Sequence, residues 1–124
     1  MARYTAAVVG CGSIGNAHME GYNLVDDVEV IAVADPIAAA RKTYMDEYGI
    51  AQEFETVEEM MEKAKPDIVS VCPRWTDCHL EMVTACLEAG AHVYCEKPLT
   101  ANLAEGDRIV ALARQVGRKV AVAH

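Results

Sequence analysis

The chain has 124 residues, 52% of them apolar and 24% charged, with a formal net charge of −8. That length supports one domain with a real core, and the acidic balance excludes a nucleic-acid surface built on a basic stripe. There is no secretory apolar segment, no run of membrane-spanning length and no regular spacing among the five cysteines, so a reducing cytoplasm is the expected location.

Thr5 to Val9 is a continuous apolar run of the kind buried on both faces, and it predicts a first strand. It feeds Gly10-Cys11-Gly12-Ser13-Ile14-Gly15, where a helix begins with Ile14, Ala17, His18, Gly21, Tyr22 and Val25 as its expected inner face. Val28 to Ala34 predicts the second strand, closed by Asp35. Pro36 suits the first position of a helix that runs to Tyr48 and stops at Gly49. Glu53 to Glu55 predicts a short edge strand. Thr56-Val57-Glu58-Glu59 has the capping-box pattern of a short acidic helix, ended by Lys65-Pro66-Asp67.

Ile68 to Cys72 predicts a strand stopped by Pro73. Thr76 is expected to cap the next helix, with Cys78, Met82, Ala85, Cys86 and Ala89 inward and Gly90 as its stop. Ala91 to Cys95 predicts a fifth strand. Asn102 and Glu105 open a helix ending before Gly117, and Lys119 to Ala123 predicts the last strand. Strands alternating with helices imply an α/β fold: a doubly wound parallel sheet in three layers, one domain over residues 1–124. With a glycine turn after the first strand, the expected order is 3-2-1-4-5-6. The ligand crevice then lies beyond the carboxyl ends of the first and fourth strands.

The glycine turn carries the first chemistry. Gly10 allows a tight exit from the strand, Gly12 lets backbone approach a pyrophosphate, and Gly15 lets the helix pack close to the sheet. The first-turn N–H groups, those of Ser13 and Ile14 among them, lack helical partners and suit phosphate oxygens. Asp35 lies twenty positions beyond Gly15, where a carboxylate accepts from a ribose hydroxyl. The same Asp-Pro pair also suits a plain helix cap. A carboxylate there repels a 2′-phosphate, and Pro36 and Ile37 follow it, so NAD is expected ahead of NADP. Cys11, Cys72 and Cys95 fall near the carboxyl ends of strands. Without Cys-x-x-Cys pairing they are expected to be buried, inert thiols, and no metal is expected.

Lys97 falls just past the fifth strand, where an ammonium can polarise a substrate oxygen or exchange a proton. The bland alternative is a solvated Lys97 paired with Glu96. The Lys97-Pro98 bond is a candidate cis peptide. The run Ala89-Gly90-Ala91-His92-Val93-Tyr94-Cys95-Glu96-Lys97-Pro98, after a strand closing in Cys72-Pro73, resembles the Gfo/Idh/MocA oxidoreductase family over the whole chain. The resemblance implies a Rossmann domain that binds NAD(P), with Lys97 near the nicotinamide and the substrate's reactive oxygen as the catalytic residue of this half, and with Glu96 and Pro98 shaping its loop at the cofactor. It implies hydride transfer between a sugar or cyclitol carbinol and the nicotinamide.

The resemblance also puts Cys72, Pro73 and His79 at the cofactor's edge, and His79 equally suits a hydrogen-bonded place at the helix end. Family members often have Asn after the matching proline, whereas this chain has Arg74-Trp75. Arg74 is the candidate cofactor contact at that position, and with Trp75 it offers a cation or an aromatic surface to a particular substrate. The family's C-terminal substrate domain is absent from residues 1–124. The chain alone is therefore expected to hold cofactor without turnover, and its uncovered apolar surface to favour self-association. Two other classes stay open: a non-enzymatic dinucleotide-binding module that senses redox state or regulates a partner, and a Rossmann scaffold for another adenine ligand such as S-adenosylmethionine. No nucleic-acid or membrane partner is expected.

Overall fold

In a computed structural model, which describes residues 3–123, the strands form one six-stranded sheet. They are β1 (Tyr4–Val9), β2 (Val28–Ala34), β3 (Gln52–Phe54), β4 (Ile68–Val71), β5 (His92–Glu96) and β6 (Val120–Ala123). All neighbours are parallel and the order is 3-2-1-4-5-6, as the sequence implied. Five helices connect them: α1 (Ser13–Asn23), α2 (Ala38–Tyr48), α3 (Val57–Lys63), α4 (His79–Glu88) and α5 (Leu103–Val116).

The middle layer is sealed because β1 is apolar on both sides. Ala7 and Val9 face one cluster with Met60, Val83, Leu87 and Ile109 of α3, α4 and α5. Val8 faces the other, with Met19 and Tyr44 of α1 and α2. Each fully buried Val or Leu side chain contributes roughly 1.5–3 kcal/mol, so the two clusters outweigh any single cap. Caps still set the boundaries. The Thr56 side chain accepts from the Glu59 N–H (3.2 Å), and the Asn102 side chain from the Glu105 N–H (2.9 Å). Asn102→Ala should cost about 1 kcal/mol, read as a lower urea midpoint with an unchanged slope.

Three local expectations are corrected. Pro36 is not the first residue of α2: Ile37 is the N-cap and the helix starts at Ala38. The Asp35 carboxylate draws the intervening backbone into a turn by accepting from the Ile37 N–H (2.8 Å). The inner face of α1 is Gly15, His18 and Met19, while Ile14 and Val25 are exposed. With no Cβ at Gly15 the helix settles on that stripe, which turns the Ile14 stripe outward. Thr76 caps nothing. It lies in a single 3₁₀ turn, Thr76–Cys78, whose tighter winding moves the buried face of α4 to His79, Val83, Cys86 and Leu87.

Candidate functional site

The carboxyl ends of β1, β2, β4 and β5 meet along one edge, with Val9 registered against both Ala34 and Val71, and Val71 against Cys95. Gly10 leaves β1 with φ +94°, and a Cβ there would lie 2.6 Å from the Cys72 carbonyl carbon. Only glycine fits that contact with the β4 exit, which joins Gly10 to Cys72 and Pro73. At Gly15 a Cβ would overlap the Gly10 carbonyl oxygen and stand 2.7 Å from the Tyr44 hydroxyl.

Gly12 differs from both. Nothing lies within 4 Å of its Cβ position. It is the N-cap of α1, no side chain caps that end, and the first turn holds no acid. The first intrahelical bond there is from the Asn16 N–H to the Gly12 carbonyl (3.1 Å). The amides of Ser13 and Ile14 precede it, at the positive end of the helix dipole. Tyr44 donates to the Gly12 carbonyl and Tyr48 to the Asn16 side chain, so α2 braces the turn from behind.

Asp35 belongs to the same assembly. One carboxylate oxygen accepts from the Cys11 N–H (2.8 Å) and the other from the Ile37 N–H (2.8 Å). Each oxygen keeps a further lone pair for a hydroxyl. Arg41 is buried beneath this loop. It donates through Nε to Glu53 (2.7 Å) and through Nη1 to the Asp35 carbonyl (2.6 Å). That guanidinium is held under the loop by the chain itself, and Glu53 adds negative charge beside the Asp35 loop.

At β5, Lys97 is exposed and its bond to Pro98 is cis. The Glu96 carboxylate does not take the ammonium. Its Oε1 accepts from His18 Nε2 (2.8 Å) and its Oε2 from the Lys97 backbone N–H (3.2 Å). Among the described residues the Lys97 ammonium makes no ion pair. His79 is 2% exposed. Its Nδ1–H donates to the carbonyls of Pro98 (2.8 Å) and Leu99 (3.0 Å), since a carbonyl only accepts. A groove of about 590 Å³ runs from Lys97 past Glu96, Tyr94 and Tyr22 to Val25. A second hollow of about 450 Å³, beside Asp26, Glu29 and Tyr48, holds none of these groups.

The Arg74 guanidinium lies over the Trp75 ring at 5.0 Å, and Trp75 is 64% exposed. The thiols are protonated at neutral pH. Burial, with the Asp35 carboxylate second, pushes Cys11 up to about 12, and burial with Glu96 second pushes Cys95 up to about 12. Burial also drives Cys72 far above the usual thiol range. Among the described residues no three His, Cys, Asp or Glu side chains are grouped to hold a metal ion.

In the sequence His18 and Tyr22 stand only as helix-face positions, and Ser70 belongs to no motif. The available signal was polarity inside apolar patterns: Ser70 interrupts Ile68-Val69-Val71, and His18 lies on a buried stripe. Such groups need partners.

Residues 4–124 match the model of an oxidoreductase family with an NAD-binding Rossmann fold, GFO_IDH_MocA. The chain is 36% identical over 103 residues to a myo-inositol 2-dehydrogenase of Thermotoga maritima, covering 83% of this chain and 30% of that protein. A probable dehydrogenase from Thermotoga maritima superposes with a TM-score of 0.90 at 31% identity, over 96% of this chain and 35% of that one. The WlbA dehydrogenase from Chromobacterium violaceum, solved with NADH and UDP-GlcNAcA, superposes with a TM-score of 0.92 at 28% identity, over 99% and 35%. The chain thus spans about a third of the length of the relatives it matches.

Proposed function

The chain belongs to the GFO_IDH_MocA family of oxidoreductases with an NAD-binding Rossmann fold, and on that premise we propose that residues 1–124 are its cofactor-holding domain. The observation that carries the reading is the open space at Gly12, in front of the uncapped N-terminus of α1 and beside Asp35. These residues fit a dinucleotide. The amides of Ser13 and Ile14 would hold a pyrophosphate, and the Asp35 carboxylate would accept from the adenosine ribose. A bound nicotinamide supplies the hydride acceptor or donor.

The chain's own residues do the rest. Lys97, with its ammonium unpaired among the described residues, supports a role at the reacting oxygen of a substrate, as the catalytic residue of this domain. An ammonium there polarises a carbonyl and can give its oxygen a proton, and in the reverse direction the neutral amine takes the carbinol proton. His79 holds the loop around Pro98 from below, and Cys72 and Pro73 wall the glycine turn. We place Arg74 at the crevice rim. The relatives include inositol and glucoside dehydrogenases, which supports a cyclitol or sugar carbinol as substrate. Its pocket would be completed by the part of the relatives' length that this chain does not span. Five free thiols suit a reducing, cytoplasmic setting.

Calorimetric titration of the chain with NAD, NADP and S-adenosylmethionine tests the reading. NAD should bind most tightly, and absence of NAD binding removes the proposal. Asp35→Ala loosens the glycine turn and so weakens both dinucleotides. Only NAD also loses its ribose contact, so the NAD-to-NADP affinity ratio should fall by roughly tenfold, a change of ~1.4 kcal/mol. An unchanged ratio would detach Asp35 from the ribose.

A further inference from the structure

We propose that His18 is a positioning residue for Lys97, acting through the Glu96 carboxylate; the inference rests on the cofactor reading above. The His18 side chain is 5% exposed and lies between β4 and β5, with the Tyr94 ring against it at 4.9 Å between centroids. An imidazole sealed from water needs a partner at each nitrogen. A carboxylate only accepts, so Nε2 carries the proton given to Glu96 Oε1 (2.8 Å). Nδ1 lies within hydrogen-bond reach of the Ser70 hydroxyl (2.8 Å), which in turn meets the Tyr22 hydroxyl (2.8 Å). The four side chains form one hydrogen-bonded chain, from Tyr22 through Ser70 and His18 to Glu96. Among the described residues no buried side-chain nitrogen or oxygen lacks a partner.

The consequence falls on the next residue. Glu96 Oε2 takes the Lys97 backbone N–H (3.2 Å), so one carboxylate ties the Lys97 backbone to a ring that cannot turn. A free Glu96 would have the adjacent Lys97 ammonium as its obvious counter-ion. With Oε1 held inward by His18, the ammonium is left for the crevice. His79 grips the carbonyls of Pro98 and Leu99 from the other face of the sheet. The loop is thus held on both sides of Lys97 by buried histidines from α1 and α4, and only the His18 grip governs the carboxylate beside Lys97.

The test compares NAD with ADP-ribose, which has the adenosine, pyrophosphate and second ribose but no nicotinamide. His18→Ala should weaken NAD by about fivefold to tenfold and leave ADP-ribose unchanged, and Lys97→Ala should do the same, with the double variant no worse than Lys97→Ala alone. His18→Gln, which can donate to Glu96 and accept from Ser70, should restore most of the NAD affinity. If His18→Ala does not fold, Glu96→Ala decides: the same NAD-selective loss supports the proposal, and no loss overturns it. Equal losses for both ligands, additive losses or no loss would reduce His18 to a packing residue while leaving the cofactor reading intact. A parent chain that binds neither ligand removes the cofactor reading, and the inference with it.

Discussion

Gly12→Val should fold as the parent chain does and lose NAD affinity by roughly a hundredfold or more, upwards of ~2.7 kcal/mol. The backbone at Gly12 has φ −106° and ψ −163°, a conformation open to any residue. No atom of the protein lies within 4 Å of the Cβ that valine would add. In the free chain the isopropyl group therefore meets only solvent, and the melting temperature should stay within a degree or two of the parent, since an unstrained exposed substitution costs little. In the proposed site the same volume is the one through which a phosphate would approach the first amides of α1. A branched side chain keeps it out and leaves those donors without their anion. Calorimetry and a thermal melt on the same sample separate the two effects. Equal NAD affinity in both proteins would refute the pyrophosphate site.

Three positions further on, Gly15→Ala should instead destabilise the fold. Helix propensity alone favours alanine by about 1 kcal/mol. The new methyl would overlap the Gly10 carbonyl oxygen and press on the Tyr44 hydroxyl at 2.7 Å. Overpacking of this kind costs about 1–3 kcal/mol and more where backbone blocks relief, so the clash wins. The expected net loss is about 2 kcal/mol, or roughly 8 °C in melting temperature for a domain of this size. NAD affinity should fall as well, because relief requires α1 to lift away from the glycine turn. A variant that melts at or above the parent temperature would show that α1 is not seated as described.

The three glycines were legible together as one motif, but their physical roles were separable only in three dimensions. Gly10 is confined by the Cys72 carbonyl and Gly15 by Gly10 itself, whereas Gly12 is confined by nothing in the protein. Asp35 was legible as an acceptor. Its bond to the Cys11 amide, which ties two crossover loops together, was not, because the two residues lie 24 positions apart. The missed helix faces have a common cause. Periodicity gives the width of an apolar stripe but not its rotation, and on α1 and α4 that rotation was set by a missing Cβ and by a 3₁₀ turn.

By itself the order of residues determined the architecture: strand order, crossover helices, the switch point between β1 and β4, and the sheet edge to which Gly10, Asp35 and Lys97 belong. These follow from hydrophobic period and turn chemistry, which act within a dozen residues or so. Tertiary structure alone decided which polar groups meet. His18, Ser70 and Glu96 come from α1, β4 and β5, and lie 52 and 78 positions from the histidine. Their contact depends on how far α1 sinks toward the sheet, which Gly15 permits and close packing enforces. That contact is what turns Glu96 away from its neighbour and leaves the Lys97 ammonium free of an ion pair among the described residues.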